Sequence, residues 1–155
     1  MTARSVLLAA LVAVGAGCGA EVPGPPKFNA VQATGFAQAG ATLLDAAAAY
    51  RDTLWSVCAH SSSLECPLRS ADRLLYAAKE AGRFNGVLLT QVGGSCHRAV
   101  SKYDGAVRGI TRLVVEYGAE IADRDISREH GIRIIVDGLR ELTDRSGTVM
   151  EVCAP

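Results

Sequence analysis

The stretch 96–123 carries the strongest structural signal in this 155-residue sequence. Its apolar residues recur at alternating spacings of three and four, the period that places side chains along one side of an α-helix. They are Cys96, Val100, Tyr103, Val107, Ile110, Val114, Tyr117 and Ile121. Charged residues occupy many of the positions between them. The segment therefore predicts an amphipathic helix whose apolar side must be buried against partner helices.

Three other segments after Phe28 have apolar residues at helical spacing and can supply those partners. The first, about 29–58, has Phe36, Leu43, Ala47, Tyr50, Leu54 and Val57. The second, about 66–92, has Leu68, Ala71, Leu75, Ala78, Leu89 and Val92. The last, about 127–145 with an extension to Val152 left open, has Ile132, Ile135, Val136, Leu139 and Leu142.

Local sequence signals support the predicted start of the second helix, whereas glycines make the helix prediction less secure in its later part. Ser62 stands three residues before Glu65, the spacing of a capping box, and Pro67 suits a first helical turn. Glycines interrupt the later part, so a short strand over 84–92 is an alternative there. Four helices of similar length with short connections favour an all-α fold, an antiparallel up-down-up-down four-helix bundle with two disulfides.

The first 20 residues have the three parts of a secretory signal peptide. Met1 to Arg4 is short and basic, Ser5 to Val14 is almost entirely apolar, and small residues follow. The apolar run is too short for a membrane-spanning helix, which needs about 20 apolar residues. The sequence therefore predicts export.

The triplet Ala16-Gly17-Cys18 after the apolar run resembles the lipobox of bacterial lipoproteins. The resemblance implies a signal peptide over 1–17, lipidation of Cys18 and anchoring in a membrane of the bacterial cell envelope. Residues 18–27 would then be the lipidated Cys and a Pro/Gly-rich tether, and 28–155 the helical bundle domain. Gly15 stands where the lipobox usually has Leu. Cleavage after Ala20, giving a soluble secreted or periplasmic protein, is therefore the alternative.

The charge balance argues against nucleic acid as a partner. Sixteen Lys and Arg residues match sixteen Asp and Glu residues, and the chain has no basic excess to attract phosphates. The partners that we expect are the membrane, through the lipidated N-terminus, and an envelope protein whose identity the sequence does not define.

Four cysteines remain once Cys18 is assigned to the lipobox. Because exported proteins enter an oxidising compartment, we expect these four to form disulfides. In an up-down-up-down bundle, Cys58 and Cys66 share one end, and Cys96 and Cys153 share the other. Bridged Cα atoms must lie within about 7 Å, so pairs between opposite ends are excluded. The sequence therefore predicts the disulfides Cys58–Cys66 and Cys96–Cys153.

No residue pattern predicts a catalytic, cofactor or metal site. Cys96-His97 matches the end of a haem c motif, but Gly93 stands where the first Cys is required. His60 and His130 would lie near the Cys58–Cys66 pair, but their spacing fits no common zinc pattern and oxidation favours the disulfide. The aromatic residues at helical spacing, including Tyr50, Trp55 and Tyr103, are interpreted as core. For Trp55, an exposed aromatic anchor for a partner is the alternative.

Two hypotheses for function follow. The leading one is a small cell-envelope lipoprotein that is not an enzyme and acts as a helical interaction or structural module. The alternative is an exported soluble bundle that binds a small apolar ligand between its helices. It rests on Ala78, Gly82 and Asn85, whose small volumes in the second helix would leave room for a cavity.

Overall fold

The structure, a computed structural model, describes residue 25 and residues 27–155. The predicted signal peptide and the lipidation of Cys18 lie outside these residues. All the regular elements of the described part are helical, which confirms the all-α prediction. The α-helices are α1 (Ala30–Thr53), α2 (Cys66–Arg69), α3 (Asp72–Leu89), α4 (Gly94–Ala122) and α5 (Arg128–Cys153). The strand alternative for 84–92 is wrong, because α3 continues to Leu89.

Helix α1 begins at a complete capping box and ends in a π-helical turn. The Asn29 side chain accepts a hydrogen bond from the Gln32 N–H, and the Gln32 side chain accepts one from the Asn29 N–H, both at 2.9 Å. The π-helical turn spans Leu54–Cys58, where the Ala59 N–H donates to the Leu54 carbonyl at 2.8 Å.

This π-helical turn changes which side chains face the core. The wider i→i+5 spacing adds a residue to the turn and rotates the following positions. Leu54 and Cys58 are buried, whereas Trp55 is 40% exposed and Val57 is 54% exposed. The predictions that Trp55 and Val57 belong to the core are therefore wrong.

The second predicted helix is divided in two at Ser70 and Ala71. Glu65 rather than Ser62 occupies the cap position of α2, and Pro67 lies in its first turn as predicted. After the break, the buried side of α3 is displaced by about one residue from the predicted one. It consists of Leu74, Ala77, Ala78, Ala81, Asn85 and Leu88.

Helices α4 and α5 match their predicted apolar patterns. All eight α4 stripe residues are buried except Tyr117, which is half-buried. The Ser127 hydroxyl caps α5 by accepting a hydrogen bond from the His130 N–H at 3.3 Å, and α5 continues to Cys153. Helix α4 packs against both α3 and α5, and α1 also packs against α3 and α5, so these four helices enclose the core.

The structure contains the two predicted disulfides. Cys58 is bonded to Cys66 with Cα atoms 5.3 Å apart, and Cys96 is bonded to Cys153 with Cα atoms 5.0 Å apart. No helix among the described residues combines the length and the apolar composition needed to cross a membrane.

Candidate functional site

An apolar groove of about 620 Å³ runs between α3 and α4 and is open to solvent. Its α3 wall consists of Leu75, Ala78, Lys79, Gly82, Gly86 and Leu89. Its α4 wall consists of Asp104, Val107, Arg108 and Thr111. This volume falls in the range of small-molecule sites in proteins, about 300–1,000 Å³. We call it the α3–α4 groove.

The groove exists because α3 presents hydrogens where most helices present side chains. Gly82 and Gly86 lie four residues apart, on one side of the helix. A Cβ atom added at either glycine would meet no neighbouring atom within 4 Å, so both positions border open space. Leu75 and Leu89, which were predicted to be core residues, are half-buried and line the groove towards its two ends.

Beside the groove, Asp104 and Asn85 form a buried polar pair. The Asp104 residue is 5% exposed and the Asn85 residue 1%. The Asn85 amide donates to Asp104 Oδ1 at 3.4 Å, and Arg108 Nη2 lies 2.7 Å from Asp104 Oδ2. A buried carboxylate is stable only when it is paired and hydrogen-bonded. These two contacts therefore stabilise a buried carboxylate in the α4 wall of the groove.

The two cations of the groove lie at its solvent-exposed edge. The Arg108 side chain is 74% exposed although it is paired with Asp104. Lys79 is exposed on α3, and none of the ion pairs formed by the described residues includes it. Each helix therefore contributes one cation to the edge of the groove.

A second depression, of about 440 Å³, lies at the end of the molecule where α1 meets α5. Trp55, Ala59, His60, Arg128 and Glu129 line it. Arg128 Nη1 donates to the carbonyl oxygens of Ala59 and Ser61, which fastens the 59–65 loop to the start of α5. π-Helical turns are frequent at functional sites, and the exposed Trp55 belongs to one. We call this surface the Trp55 end.

Cys58, Cys66, His60 and His130 are the residues of metal-binding types that the sequence places near one another. The sulfur atoms of Cys58 and Cys66 are bonded to each other in a disulfide, and His60 and His130 are exposed. No group of three or more His, Cys, Asp or Glu side chains with metal-binding geometry occurs in residues 27–155.

The sequence indicated part of the groove and missed the rest. The small residues Ala78 and Gly82 do line it, and Asn85 contacts its polar wall. Asp104 is one of the charged residues between the apolar positions of the α4 pattern, which predicts exposure, but it is buried. Its position could have indicated burial, since it lies four residues after Val100 and three before Val107, at the edge of the apolar stripe.

Comparison with protein-family models found no matching family, and comparisons with curated proteins and with solved structures found no match.

Proposed function

We propose that this protein is an exported helical binding module that takes a small apolar ligand in the α3–α4 groove. The observation that carries the proposal is the open groove between α3 and α4, with a volume of about 620 Å³, in which Leu, Ala, Gly and Val residues outnumber the polar ones. Ligand sites are typically concave and mostly apolar with few polar groups, and the groove has this character. A non-catalytic role remains a prediction.

The scaffold of this module would be the predicted up-down-up-down four-helix bundle, formed by α1, α3, α4 and α5. Contacts at the helix ends support this topology. At one end, the Phe28 N–H donates to the Cys153 carbonyl and the Gly93 N–H donates to the Pro25 carbonyl. At the other, the Cys58–Cys66 disulfide and the Arg128 contacts join the end of α1, the start of α2 and the start of α5.

We further propose that Cys18 carries a lipid that anchors the domain in a bacterial envelope membrane, through the tether of residues 18–27. The two disulfides support export, because they form and persist in oxidising compartments. The intact mass of the protein from the membrane fraction would test the anchor. A chain that begins at Cys18 and carries added acyl mass supports it, whereas a lipid-free chain that begins at Glu21 contradicts it.

Titration with a neutral fluorescent probe, N-phenyl-1-naphthylamine, would test ligand binding. The exported protein carrying Cys18→Ser avoids both lipid and detergent. We expect saturable binding that Gly82→Leu abolishes, because the new side chain would fill the groove. Gly147→Leu on α5 is the matched control, since Gly147 also borders open space but does not line the groove. Absence of probe binding, or equal binding by both variants, would contradict the proposal.

A protein-interaction role is the second candidate, and the Trp55 end favours it. Tryptophan and arginine are enriched among residues that dominate binding energy, and Trp55 lies beside Arg128 in this depression. Helix α1 has 24 residues and is about 36 Å long, so the Trp55 end lies far from Phe28. With an anchor at Cys18, this end would extend away from the membrane.

Photocrosslinking in the native host would test this second role. A crosslinking amino acid at position 55 should capture one defined envelope protein, whereas the same group at Tyr76 should not. Tyr76 is a suitable control because its side chain is exposed on α3, away from this depression. The same crosslinks from both positions would contradict a specific interface at the Trp55 end.

A further inference from the structure

We infer that the ligand of the α3–α4 groove is an amphipathic anion, an apolar chain bearing one carboxylate that binds between Lys79 and Arg108. This inference rests on the proposed function, because it specifies the chemistry of a ligand for the same groove. The apolar chain would lie along Leu75, Gly82 and Leu89, and the carboxylate would remain at the solvent-exposed edge. The argument depends on how charge is distributed in the groove walls.

The groove walls carry a net positive charge. They contain two cations, Lys79 and Arg108, and one anion, Asp104. Asp104 is already paired with Arg108, so Lys79 has no compensating carboxylate among the groove residues. An anionic ligand would complete the charge balance, whereas a cationic ligand would have to approach two like charges.

The position of each charge favours an anion further. The Asp104 side chain is 7% exposed, so little of it is accessible to a ligand, whereas the Arg108 side chain is 74% exposed. Arginine has five N–H donors, and the contact with Asp104 at 2.7 Å uses the Nη2 side of the guanidinium. Its remaining donors can hold a carboxylate, which arginine binds well through paired hydrogen bonds.

Asp104 acts here as a positioning residue rather than as a ligand contact. It lies four residues before Arg108 on α4, so the ion pair through Nη2 holds one side of the guanidinium beside the groove wall. The Asn85 amide, which belongs to α3, donates a hydrogen bond to the other carboxylate oxygen of Asp104. This arrangement directs a cation over an apolar groove, which is the recognition surface that an amphipathic anion requires.

Three probes with one alkyl chain and different headgroups would test the inference: dodecanoate, dodecanol and dodecylammonium. Their affinities for the full exported chain carrying Cys18→Ser would be measured by calorimetry below their micelle-forming concentrations. We expect dodecanoate to bind most tightly. Lys79→Ala and Arg108→Ala should each weaken dodecanoate binding by about tenfold and leave dodecanol binding unchanged.

The three arginine and lysine variants differ in their effects on ion pairs and on stability, so the test needs all of them. Arg108→Ala leaves the buried Asp104 without its cation, so its unfolding transition must be measured alongside. Lys79→Ala breaks no ion pair of the described residues, so it removes a cation without leaving a buried carboxylate unpaired. Arg98→Ala is the matched control, because Arg98 is exposed on α4 and does not line the groove.

Each result supports or overturns the inference. Weaker binding of dodecanoate by Lys79→Ala, with no change for Arg98→Ala, supports it. Tighter binding of dodecylammonium than of dodecanoate, or a gain in amine affinity on Arg108→Ala, would overturn it and identify Asp104 as the headgroup partner. Equal affinity for all three probes would overturn the inference but retain the proposed function. Failure of all three to bind would overturn both.

Discussion

Cys96 and Cys153 lie 57 residues apart in the chain, and a disulfide brings their Cα atoms to 5.0 Å. Both residues are fully buried, so this bond joins the start of α4 to the end of α5 inside the core. The Cys153 carbonyl also accepts a hydrogen bond from the Phe28 N–H at 2.8 Å. One residue therefore connects three separate parts of the chain at this end of the molecule.

Removing the Cys96–Cys153 disulfide should destabilise the fold more than removing Cys58–Cys66. In the chain-entropy model the stabilisation grows with the closed loop, and the separations are 57 and 8 residues. The model gives about 4 kcal/mol for the longer loop and about 2.5 kcal/mol for the shorter. Urea unfolding of the two double Cys→Ala variants would measure the difference. An equal loss in both would indicate that strain or residual structure, rather than loop closure, dominates.

Replacing each of two α5 glycines with alanine should change the stability of the protein in opposite directions. A Cβ atom at Gly131 would lie 2.6 Å from Ile121 Cδ1 and 2.9 Å from Ile126 Cδ1, whereas one at Gly147 would meet no neighbouring atom within 4 Å. Gly131→Ala should therefore cost about 1–3 kcal/mol through overpacking. Gly147→Ala should stabilise by up to about 1 kcal/mol through helix propensity. Urea unfolding would measure both, and stabilisation by Gly131→Ala would show that the Ile121 side chain can move aside.

The sequence predicted the helices well where one apolar pattern runs without interruption. In α4 the alternation of three and four extends over the whole helix, and the buried residues follow it. The disulfide pairing was also predictable, because cysteines at opposite ends of long helices are too far apart to be bridged. These features depend on local periodicity and on distance limits, both of which a sequence contains.

The sequence failed where a local break changed the helical phase. The π-helical turn at Leu54–Cys58 and the break at Ser70 each rotate the residues that follow, and neither has a reliable local signal. The first break exposes Trp55. The second leaves Leu75 and Leu89 at the edge of the core, where they line the α3–α4 groove. The two candidate surfaces therefore lie where helix periodicity alone gave the wrong side chains.

Adjacent residues in the π-helical turn should differ sharply in their contribution to stability. Leu54 is fully buried, whereas Trp55 is 40% exposed. Leu54→Ala should cost about 2–5 kcal/mol because it leaves a cavity in the core. Trp55→Ala should cost much less, because part of its surface is already in water. Thermal or urea unfolding of both variants would show the difference, with circular dichroism as the probe because Trp55 is the only tryptophan. Equal losses would contradict the rotation of this turn.

Tyr103 should make the protein sensitive to alkaline pH. Burial raises the pKa of its phenol to about 12, and Asp104 adds to the rise. The Ser146 hydroxyl acts in the opposite direction, although no described residue has hydrogen-bond geometry with the Tyr103 hydroxyl. The unfolded state releases this proton near pH 10, while the folded state retains it. The contribution of the Tyr103 phenol to the free energy of unfolding is therefore fully present below pH 10, and it is lost as the pH rises towards 12.

Tyr103→Phe would isolate this effect, because it removes the ionising group and keeps the ring against Phe36, whose centroid is 5.3 Å away. Between pH 9 and 11, the variant should lose about 1.3 kcal/mol less free energy of unfolding than the parent protein. At pH 7 it should be at least as stable, since it also removes a buried hydroxyl without a partner. Tyr76→Phe is the control at an exposed position. Urea unfolding at each pH would measure the difference, and identical losses for Tyr103→Phe and the parent would show that the folded protein ionises this phenol as easily as the unfolded chain.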